Sequence, residues 1–238
     1  MIISRPFQYS DNKTTFEGHI AWDDRITGKK PGVLVAPSFR GQSVFENEKA
    51  EALAALGYVG FAIDIYGKGI RARNPEEAQQ LMDGLNNNRS LLLQRMELAF
   101  DVLREQQEVD ETKVGAIGFC FGGKCILDLA RSGADLAGTA IFHGVYDPPN
   151  IPHEGPIKSP ILVLHGWEDP LATPEDTVLL AKELTQRQAD WQLHAFGQTG
   201  HAFTNPNANF PEKGMFYQES SDKRAWGLMK NFFEEVFC

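Results

Sequence analysis

The chain alternates between short apolar runs, rich in β-branched and aromatic residues, and longer stretches in which apolar residues recur at helical spacing. The runs predicted to be parallel strands are 33–37, 58–65, 114–119, 137–142, 161–165 and 191–196. The stretches predicted to be helices are 46–56, 75–107 with a break at 84–88, 124–131, 173–188 and 222–237. This alternation predicts an α/β fold, with a mostly parallel central sheet, helices on both faces, and functional loops at the carboxyl ends of the strands.

An antiparallel element precedes the parallel strands. Residues 7–9 and 15–22 alternate in character on either side of Ser10-Asp11-Asn12, which predicts an N-terminal hairpin. The chain has 238 residues, of which 42% are hydrophobic, so it is long enough for one sizeable core and short for two. We therefore expect residues 1–238 to form a single domain.

Charge and cysteine content restrict the possible partners. A formal net charge of −9 leaves no basic surface for nucleic acid or anionic lipid. The N-terminus shows no basic stretch followed by an apolar core, and the longest apolar run, 58–65, is too short to span a bilayer. Cys120, Cys125 and Cys238 have neither disulfide nor zinc spacing, and an odd number suits a reducing compartment. We expect a cytoplasmic monomer or homodimer that binds a small molecule, and neither nucleic acid nor a membrane.

The turn Gly118-Phe119-Cys120-Phe121-Gly122-Gly123 joins a predicted strand to a predicted helix. Its glycines permit a sharp, strained backbone that exposes the central side chain at the top of a sheet, where it can act as a nucleophile. That side chain is the thiol of Cys120, whose ionisation is favoured at a helix N-terminus. A glycine-rich turn around an inert, buried cysteine would show the same pattern, so the turn alone leaves both interpretations open.

A histidine follows the last predicted strand, as an α/β-hydrolase order of nucleophile, acid and histidine requires. The chain has six histidines, but only His201 lies after the strand 191–196 in a glycine-flanked loop. A lone histidine is more often structural than catalytic. Because chain order, loop position and glycine context coincide at His201, we predict that it is the catalytic base.

The acid has three candidates. Asp169 lies in the sharp loop Gly166-Trp167-Glu168-Asp169-Pro170 that follows the strand 161–165. Glu168 adjoins it, and Asp147 follows the preceding strand, where some hydrolases keep their acid. We prefer Asp169 because of the sharpness of its loop and its spacing to the histidine loop, and Glu168 and Asp147 remain alternatives.

Three segments together resemble the dienelactone hydrolase family over nearly the full length of the chain: 118–123, 165–169 and 200–203. Residues 33–41 and 57–67 also resemble that family's first core strand with its oxyanion loop, and its following strand. The resemblance implies an α/β-hydrolase fold and a carboxylic ester or lactone hydrolase, similar to carboxymethylenebutenolidases, that uses no metal or other cofactor. It implies that Cys120 is the nucleophile, His201 the base and Asp169 the acid that orients His201.

The expected chemistry is attack by the Cys120 thiolate on an acyl carbon, followed by hydrolysis of the thioester by water that His201 activates. The tetrahedral oxyanion needs preorganised donors. In this fold, one donor is the backbone N–H of the residue after the nucleophile, here Phe121, and the second lies in the loop after the first core strand, where we expect Phe39.

Two positions depart from the pattern of the resembled family. Ser38 stands where well-known dienelactone hydrolases have a glutamate that pairs with the resting thiol, and Asn205 stands where the family commonly has an arginine that binds a substrate carboxylate. We regard both as candidate substrate contacts. Without the glutamate, we predict a lasting ion pair between Cys120 and His201. Without the arginine, a neutral, apolar or aryl ester suits the chain at least as well as an anionic dienelactone.

Two other functions fit part of the pattern. The same site could act on neutral aryl phosphotriesters as a promiscuous activity, because these also develop charge on an oxygen that oxyanion donors can stabilise. Alternatively, Cys120 could be a non-hydrolytic redox or binding thiol. Neither a redox nor a binding function requires the acid and histidine loops to be retained in order, which favours the hydrolase.

Overall fold

The computed structural model describes residues 1–149 and 155–238. These residues form two compact units, Met1–Ile117 and Gly118–Cys238. The interpretation of the chain as a single domain stays a prediction.

The first unit contains five strands and three helices. Its elements are β1 (Ile2–Ser10), β2 (Thr15–Asp23), β3 (Lys30–Ala36), α1 (Val44–Ala55), β4 (Val59–Ala62), α2 (Pro75–Asn86), α3 (Arg89–Arg104) and β5 (Val109–Phe119), whose last two residues belong to the second unit. The strands are ordered β1-β2-β4-β3-β5. β1 and β2 form the predicted hairpin, and β3 and β4 are parallel, with Val33 opposite Gly60.

Local sequence explains where the helices of this unit begin and end. Ser43 and Glu46 form a capping box at the start of α1, so the first free amides of the helix are paired. A side chain on Gly60 would bring its Cβ within 2.7 Å of the Ala50 backbone, so glycine permits close packing of α1 on β4. The break predicted at 84–88 lies at Asn87 and Asn88, and the Asn88 side chain accepts the Leu91 N–H to begin α3.

The second unit contains three parallel strands, three helices and a small hairpin. After the end of β5, its elements are α4 (Phe121–Arg131), β6 (Thr139–Phe142), β7 (Ile161–Gly166), α5 (Pro174–Gln186), β8 (Trp191–Phe196), β9 (Asn209–Phe210), β10 (Met215–Phe216) and α6 (Glu219–Val236). β7 lies between β6 and β8. Because neighbouring parallel strands end at the same edge, the loops after β6, β7 and β8 converge there.

The core of the second unit is formed by the strands and by one face of each packed helix. β6 and β7 are buried along their whole length, as expected for central parallel strands. α4 packs on β6 and α6 packs on β7, and Met229, Phe232 and Phe233 of α6 are buried. Across the described ranges, none of the helices combines the length and apolar character needed to cross a membrane.

Candidate active site

Cys120 lies at the sharp turn between β5 and α4. Its backbone is left-handed at φ 57° and ψ −116°, a conformation that non-glycine residues rarely adopt. The turn needs its glycines because a Cβ on Gly118 would collide with the carbonyl group of Gly122, and a Cβ on Gly123 would approach the Gly144 Cα to 2.8 Å. The Cys120 N–H donates to the Phe142 carbonyl at 3.1 Å. The turn is therefore held against the end of β6, with a half-buried thiol at its apex.

Asp169 lies in the turn after β7 and is almost fully buried. Its Oδ1 accepts the backbone N–H groups of Leu171 at 2.8 Å and Ala172 at 3.3 Å. Its Oδ2 is 2.7 Å from Nδ1 of His201. The two backbone donors fix the carboxylate, so that its second oxygen orients the imidazole.

His201 lies in the loop after β8 and is held by the hairpin β9–β10. The His201 N–H donates to the Gly214 carbonyl at 2.7 Å, and the Phe216 N–H donates to the His201 carbonyl at 3.1 Å. The ring is almost fully buried. Nε2 is also buried and makes no hydrogen bond of standard geometry with any residue in 1–149 or 155–238. One ring nitrogen is thus fixed by Asp169, and the other is available to the thiol and to a reacting molecule.

The thiol and the imidazole shift each other's pKa. Burial, the largest single influence on Cys120, opposes its ionisation. The charge and hydrogen bonding of His201, together with the Phe121 N–H, act in the other direction and bring the pKa of Cys120 below its ordinary value. Burial also opposes protonation of His201, but Cys120 and Asp169 together raise the pKa of His201 to about 10. The lowered pKa of Cys120 and the raised pKa of His201 both favour a thiolate beside an imidazolium.

Cys120 and His201 interact as charges and not through a strictly linear hydrogen bond. Cys120 and His201 influence each other as hydrogen-bonded charges, whereas Nε2 of His201 has no partner that meets strict hydrogen-bond geometry in the described part of the chain. Attraction between opposite charges does not require the linear geometry of a hydrogen bond. Each of the two side chains therefore stabilises the charged form of the other.

The two alternative acids lie elsewhere. The Glu168 side chain is exposed and accepts the Gln198 N–H at 3.1 Å. The carboxylate of Asp147 is about half exposed and is 2.6 Å from Nζ of Lys124. Of the three carboxylates, Asp169 is the one that bonds to His201.

The expected oxyanion donors have different surroundings. Phe121 is the first residue of α4, and its N–H helps to bring the pKa of Cys120 below the ordinary value. Ser38 and Phe39 follow β3 in the first unit, where the Ser38 N–H donates to Glu46 and the Phe39 carbonyl accepts the Tyr66 hydroxyl. The roles assigned to Phe39 and Phe121 as donors, and to Ser38 as a substrate contact, stay predictions.

The polar side chains of Asn205 and of Arg71, a loop residue of the first unit, have partners within the protein. The Asn205 side-chain oxygen accepts the Asn207 N–H at 3.0 Å and stabilises the turn after His201. In the first unit, Arg71 donates to the Glu17 carbonyl and lies 3.3 Å from the buried Asp64 carboxylate. Arg71 therefore stabilises its loop, and a substrate role for Asn205 stays a prediction.

Sequence reasoning missed two features of this site. The hairpin β9–β10 lies against the His201 loop, but its strands have only two residues each and show no periodicity. His143, the residue after β6, is buried beside His201. Its position at the carboxyl end of a central strand was the available signal. Within the described ranges, no group of three or more His, Cys, Asp or Glu side chains is arranged to hold a metal ion.

Comparison with known proteins gives concordant matches. The model of the dienelactone hydrolase family matches residues 16–237. A carboxymethylenebutenolidase of a Pseudomonas species is 26% identical over 195 residues, which cover 76% of this chain and 77% of that protein. An uncharacterized protein of Caenorhabditis elegans is 34% identical over 147 residues, 60% of this chain and 93% of its own.

Solved structures extend the match over the whole chain. The structure named m3DLH is 38% identical, with a TM-score of 0.95, and the match covers 100% of this chain and 99% of that one. A dienelactone hydrolase-like promiscuous phosphotriesterase from metagenomic libraries is 35% identical, with the same TM-score and coverage.

The fold is that of an α/β hydrolase with a mostly parallel central sheet, as predicted. The chain belongs to the dienelactone hydrolase family. It is accordingly an enzyme of the ester and lactone hydrolase class, which confirms the predicted family and enzyme class.

Proposed function

We propose that the enzyme cleaves carboxylic esters or lactones through a Cys120–His201–Asp169 triad and a covalent thioester. The observation that carries this proposal is the 2.7 Å contact between His201 and Asp169, in a site where the Cys120 thiol and the His201 imidazole favour each other's charged form. A thiolate is the reactive form of cysteine, and an imidazolium beside it can supply the proton that a leaving alkoxide needs.

Acylation begins when the Cys120 sulfur forms a bond to the acyl carbon and the carbonyl electrons move to oxygen. The Phe121 N–H is the donor beside the sulfur that would bind this oxyanion, and Phe39 remains the expected second donor. When the tetrahedral adduct collapses, the carbon–oxygen bond breaks and the leaving oxygen takes the proton from Nε2 of His201. In a lactone, the alcohol formed stays attached to the acyl group.

Deacylation uses the neutral imidazole left by the first step. Nε2 of His201 takes a proton from water, whose oxygen attacks the thioester carbon. The adduct then expels the Cys120 thiolate and releases the carboxylic acid. Asp169 keeps Nδ1 protonated and stabilises the imidazolium that forms, so the resting ion pair is restored after each turnover.

The substrate is proposed to be a neutral, apolar or aryl ester. Asn205, where the family commonly has an arginine, uses its side-chain oxygen within its own turn. Phe121 and Phe203 are almost fully buried, so they support the site from within rather than presenting an open surface. Trp167, 45% exposed beside the Asp169 loop, is the aromatic side chain available to a bound acyl or aryl group.

A panel of p-nitrophenyl esters, enol lactones and aryl phosphotriesters tests the proposal on wild type, Cys120→Ala and His201→Ala. We expect ester or lactone turnover in wild type, loss in both variants, and an acyl adduct on Cys120 by mass spectrometry. Cys238→Ser, which changes an exposed thiol, is the control and should match wild type. Unchanged hydrolysis in Cys120→Ala would show that the nucleophile is wrong, and failure of every substrate would favour a redox or binding thiol.

Aryl phosphotriester hydrolysis is a second candidate activity. It is favoured by the likeness to the promiscuous phosphotriesterase described above. The thiolate would bond to phosphorus as the aryloxide leaves, and water activated by His201 would then break the sulfur–phosphorus bond. The test is release of more than one equivalent of aryloxide per enzyme, because a single burst without turnover would mean that Cys120 is merely phosphorylated.

A further inference from the structure

A second histidine lies against the ring of His201. His143 follows β6, and its ring centre is 5.0 Å from that of His201 in an edge-to-face arrangement with an interplanar angle of 68°. His143 is only 3% exposed. On another side, its ring packs edge-to-face on Phe203 at 5.1 Å. The His201 imidazole therefore has a fixed aromatic neighbour in addition to Asp169.

The ring of His143 is held at both its backbone and its tip. Its N–H donates to the Leu164 carbonyl at 2.9 Å. Its backbone is left-handed at φ 38°, a conformation that costs energy in a non-glycine residue and persists where the surroundings enforce it. Its Nε2 is 2.8 Å from the hydroxyl oxygen of Thr204, itself buried three residues after His201. The histidine loop is thus tied back to β6 through Thr204 and His143.

The contact matters because Asp169 constrains only one edge of the His201 ring. A single hydrogen bond at Nδ1 leaves the ring able to tilt about that bond, which would move Nε2 away from the sulfur. The His143 ring packs against His201 at 5.0 Å and so limits tilting in its direction. Because both rings are almost fully buried, water does not weaken the attraction between thiolate and imidazolium on this side.

The hydrogen bond of His143 does not depend on one tautomer. The Thr204 hydroxyl can donate to or accept from an imidazole nitrogen, so the 2.8 Å contact is compatible with either tautomer. The His143 ring is therefore anchored while Cys120 and Asp169 favour the protonated form of His201.

We propose that His143, anchored by Thr204, is a positioning residue that sets the orientation of the His201 imidazole toward Cys120. The proposal rests on the proposed function for its effect on turnover. Its effect on the thiol, however, is independent of any ester. Removal of the ring should loosen the ion pair, and retention of a ring without the hydrogen bond should loosen it less.

The experiment measures two quantities on wild type, His143→Ala, His143→Phe and Thr204→Val. The first is the pH midpoint of Cys120 alkylation by iodoacetamide, followed by mass spectrometry so that Cys125 and Cys238 are excluded. The second is kcat and KM on the best ester of the panel. His194→Ala, which changes a histidine on β8 paired with Gln192, is the matched control and should behave as wild type.

For His143→Ala we expect a midpoint shifted toward higher pH and a kcat lowered by about 10-fold or more with KM nearly unchanged, as for a misplaced catalytic group. His143→Phe should show a smaller rise of the midpoint and a smaller loss of kcat than His143→Ala. Thr204→Val should also raise the midpoint and lower kcat, by less than His143→Ala. If His143→Ala fails to fold, His143→Phe and Thr204→Val still have to shift the midpoint upward.

An unchanged midpoint in the folded variants would overturn the proposal, even if turnover fell, because the residue would then be merely structural. If wild type hydrolyses no substrate and the alkylation midpoint of the variants still shifts upward, the proposed function fails and the positioning role stands. If wild type hydrolyses esters and the midpoint of the variants does not move, the proposed function stands and the positioning role fails.

Discussion

At Cys120, two opposing effects act on one sulfur atom. Burial penalises the thiolate, and the protonated His201 stabilises it. The second effect prevails because it combines the charge of His201 with a hydrogen bond and with the Phe121 N–H at the start of α4. The reactivity of the thiol should therefore depend on His201 more than on its exposure.

Removing His201 should reverse the direction of the Cys120 pKa shift. In wild type, we expect the alkylation midpoint below the ordinary thiol value of about 8.5. In His201→Ala, burial remains while the favourable charge is lost, so the midpoint should lie above that value. The measurement is the rate of iodoacetamide labelling of Cys120 between pH 5 and 10. A wild-type midpoint at the ordinary value would contradict the ion pair.

The three carboxylates considered for the triad provide a matched comparison. Asp169→Asn should lower kcat by about 10² to 10⁴-fold, because the amide can no longer hold the imidazole in its correct tautomer or stabilise its charge. Glu168→Gln and Asp147→Asn should stay close to wild type, because these side chains contact Gln198 and Lys124 instead. Steady-state kinetics on one ester checks all three variants, and a greater loss at either control position would reassign the acid.

At the scale of elements, the hairpin β9–β10 acts as a clamp on the two loops that carry Asp169 and His201. Met215 forms a parallel bridge with His201. A Cβ on Gly200 would overlap the Gly214 carbonyl oxygen, and a Cβ on Gly214 would approach the Pro170 ring to 3.0 Å. These loops are packed backbone to backbone, which limits movement of Asp169 relative to His201.

Two glycines of the histidine loop test this clamp. Gly200→Ala should force the loop and hairpin apart, with a loss of about 1 to 3 kcal/mol of stability and a larger loss of kcat than of substrate affinity. Gly197→Ala is the control, because its Cβ would meet nothing within 4 Å. Chemical denaturation and kinetics give the two readouts. Equal behaviour of the two variants would mean that the hairpin does not hold His201.

The sequence predicted the larger elements because each has a physical signature that is local. The strands 161–166 and 191–196 are short β-rich runs that end in glycine-containing loops, and Pro174 and its cap Thr173 identify the start of α5. The hairpin β9–β10 has no such signature, since two-residue strands are stabilised by tertiary contacts. The hairpin holds the histidine loop because the Gly200 backbone packs against the Gly214 backbone, and that contact is visible only in the folded structure.

The order of residues along the chain was enough to predict which loops carry the candidate site. Cys120, Asp169 and His201 were predicted from the loops that carry them, and Asp169 and His201 are in direct contact; the triad itself stays a proposal. The contact of His143 with His201 could not be derived in the same way, because it joins loops after different strands. Side-chain packing between distant loops leaves little trace in a single sequence.

At the scale of the whole molecule, the ion pair links stability to pH in two directions. The pKa of His201 is raised on folding, so its stabilising contribution is complete below about pH 6.5 and is lost as the pH rises through about 10. The pKa of Cys120 is lowered, so its contribution is complete above about pH 8.5 and is lost as the pH falls through the lowered value. The summed contribution of Cys120 and His201 to stability is constant between about pH 6.5 and 8.5, and it decreases above and below this range.

This balance can be measured as the free energy of unfolding of wild type minus that of Cys120→Ala. We expect the difference to decline between about pH 8.5 and 10, by no more than about 1.4 kcal/mol per pH unit for one proton. It should also decline below about pH 6.5. Urea titrations at intervals of half a pH unit provide the values, with Cys238→Ser as reference. A difference that rises steadily from pH 6 to 10 would be incompatible with a thiolate–imidazolium pair.

The clamp made by β9–β10 has a bearing on how this enzyme could be redesigned. It holds the histidine loop with main-chain atoms and two glycines, so the outward-facing side chains of the hairpin bear little of that task. Phe210, Glu212 and Lys213 are exposed there. Libraries that randomise these three positions can reshape the rim beside His201 while leaving the proposed triad undisturbed.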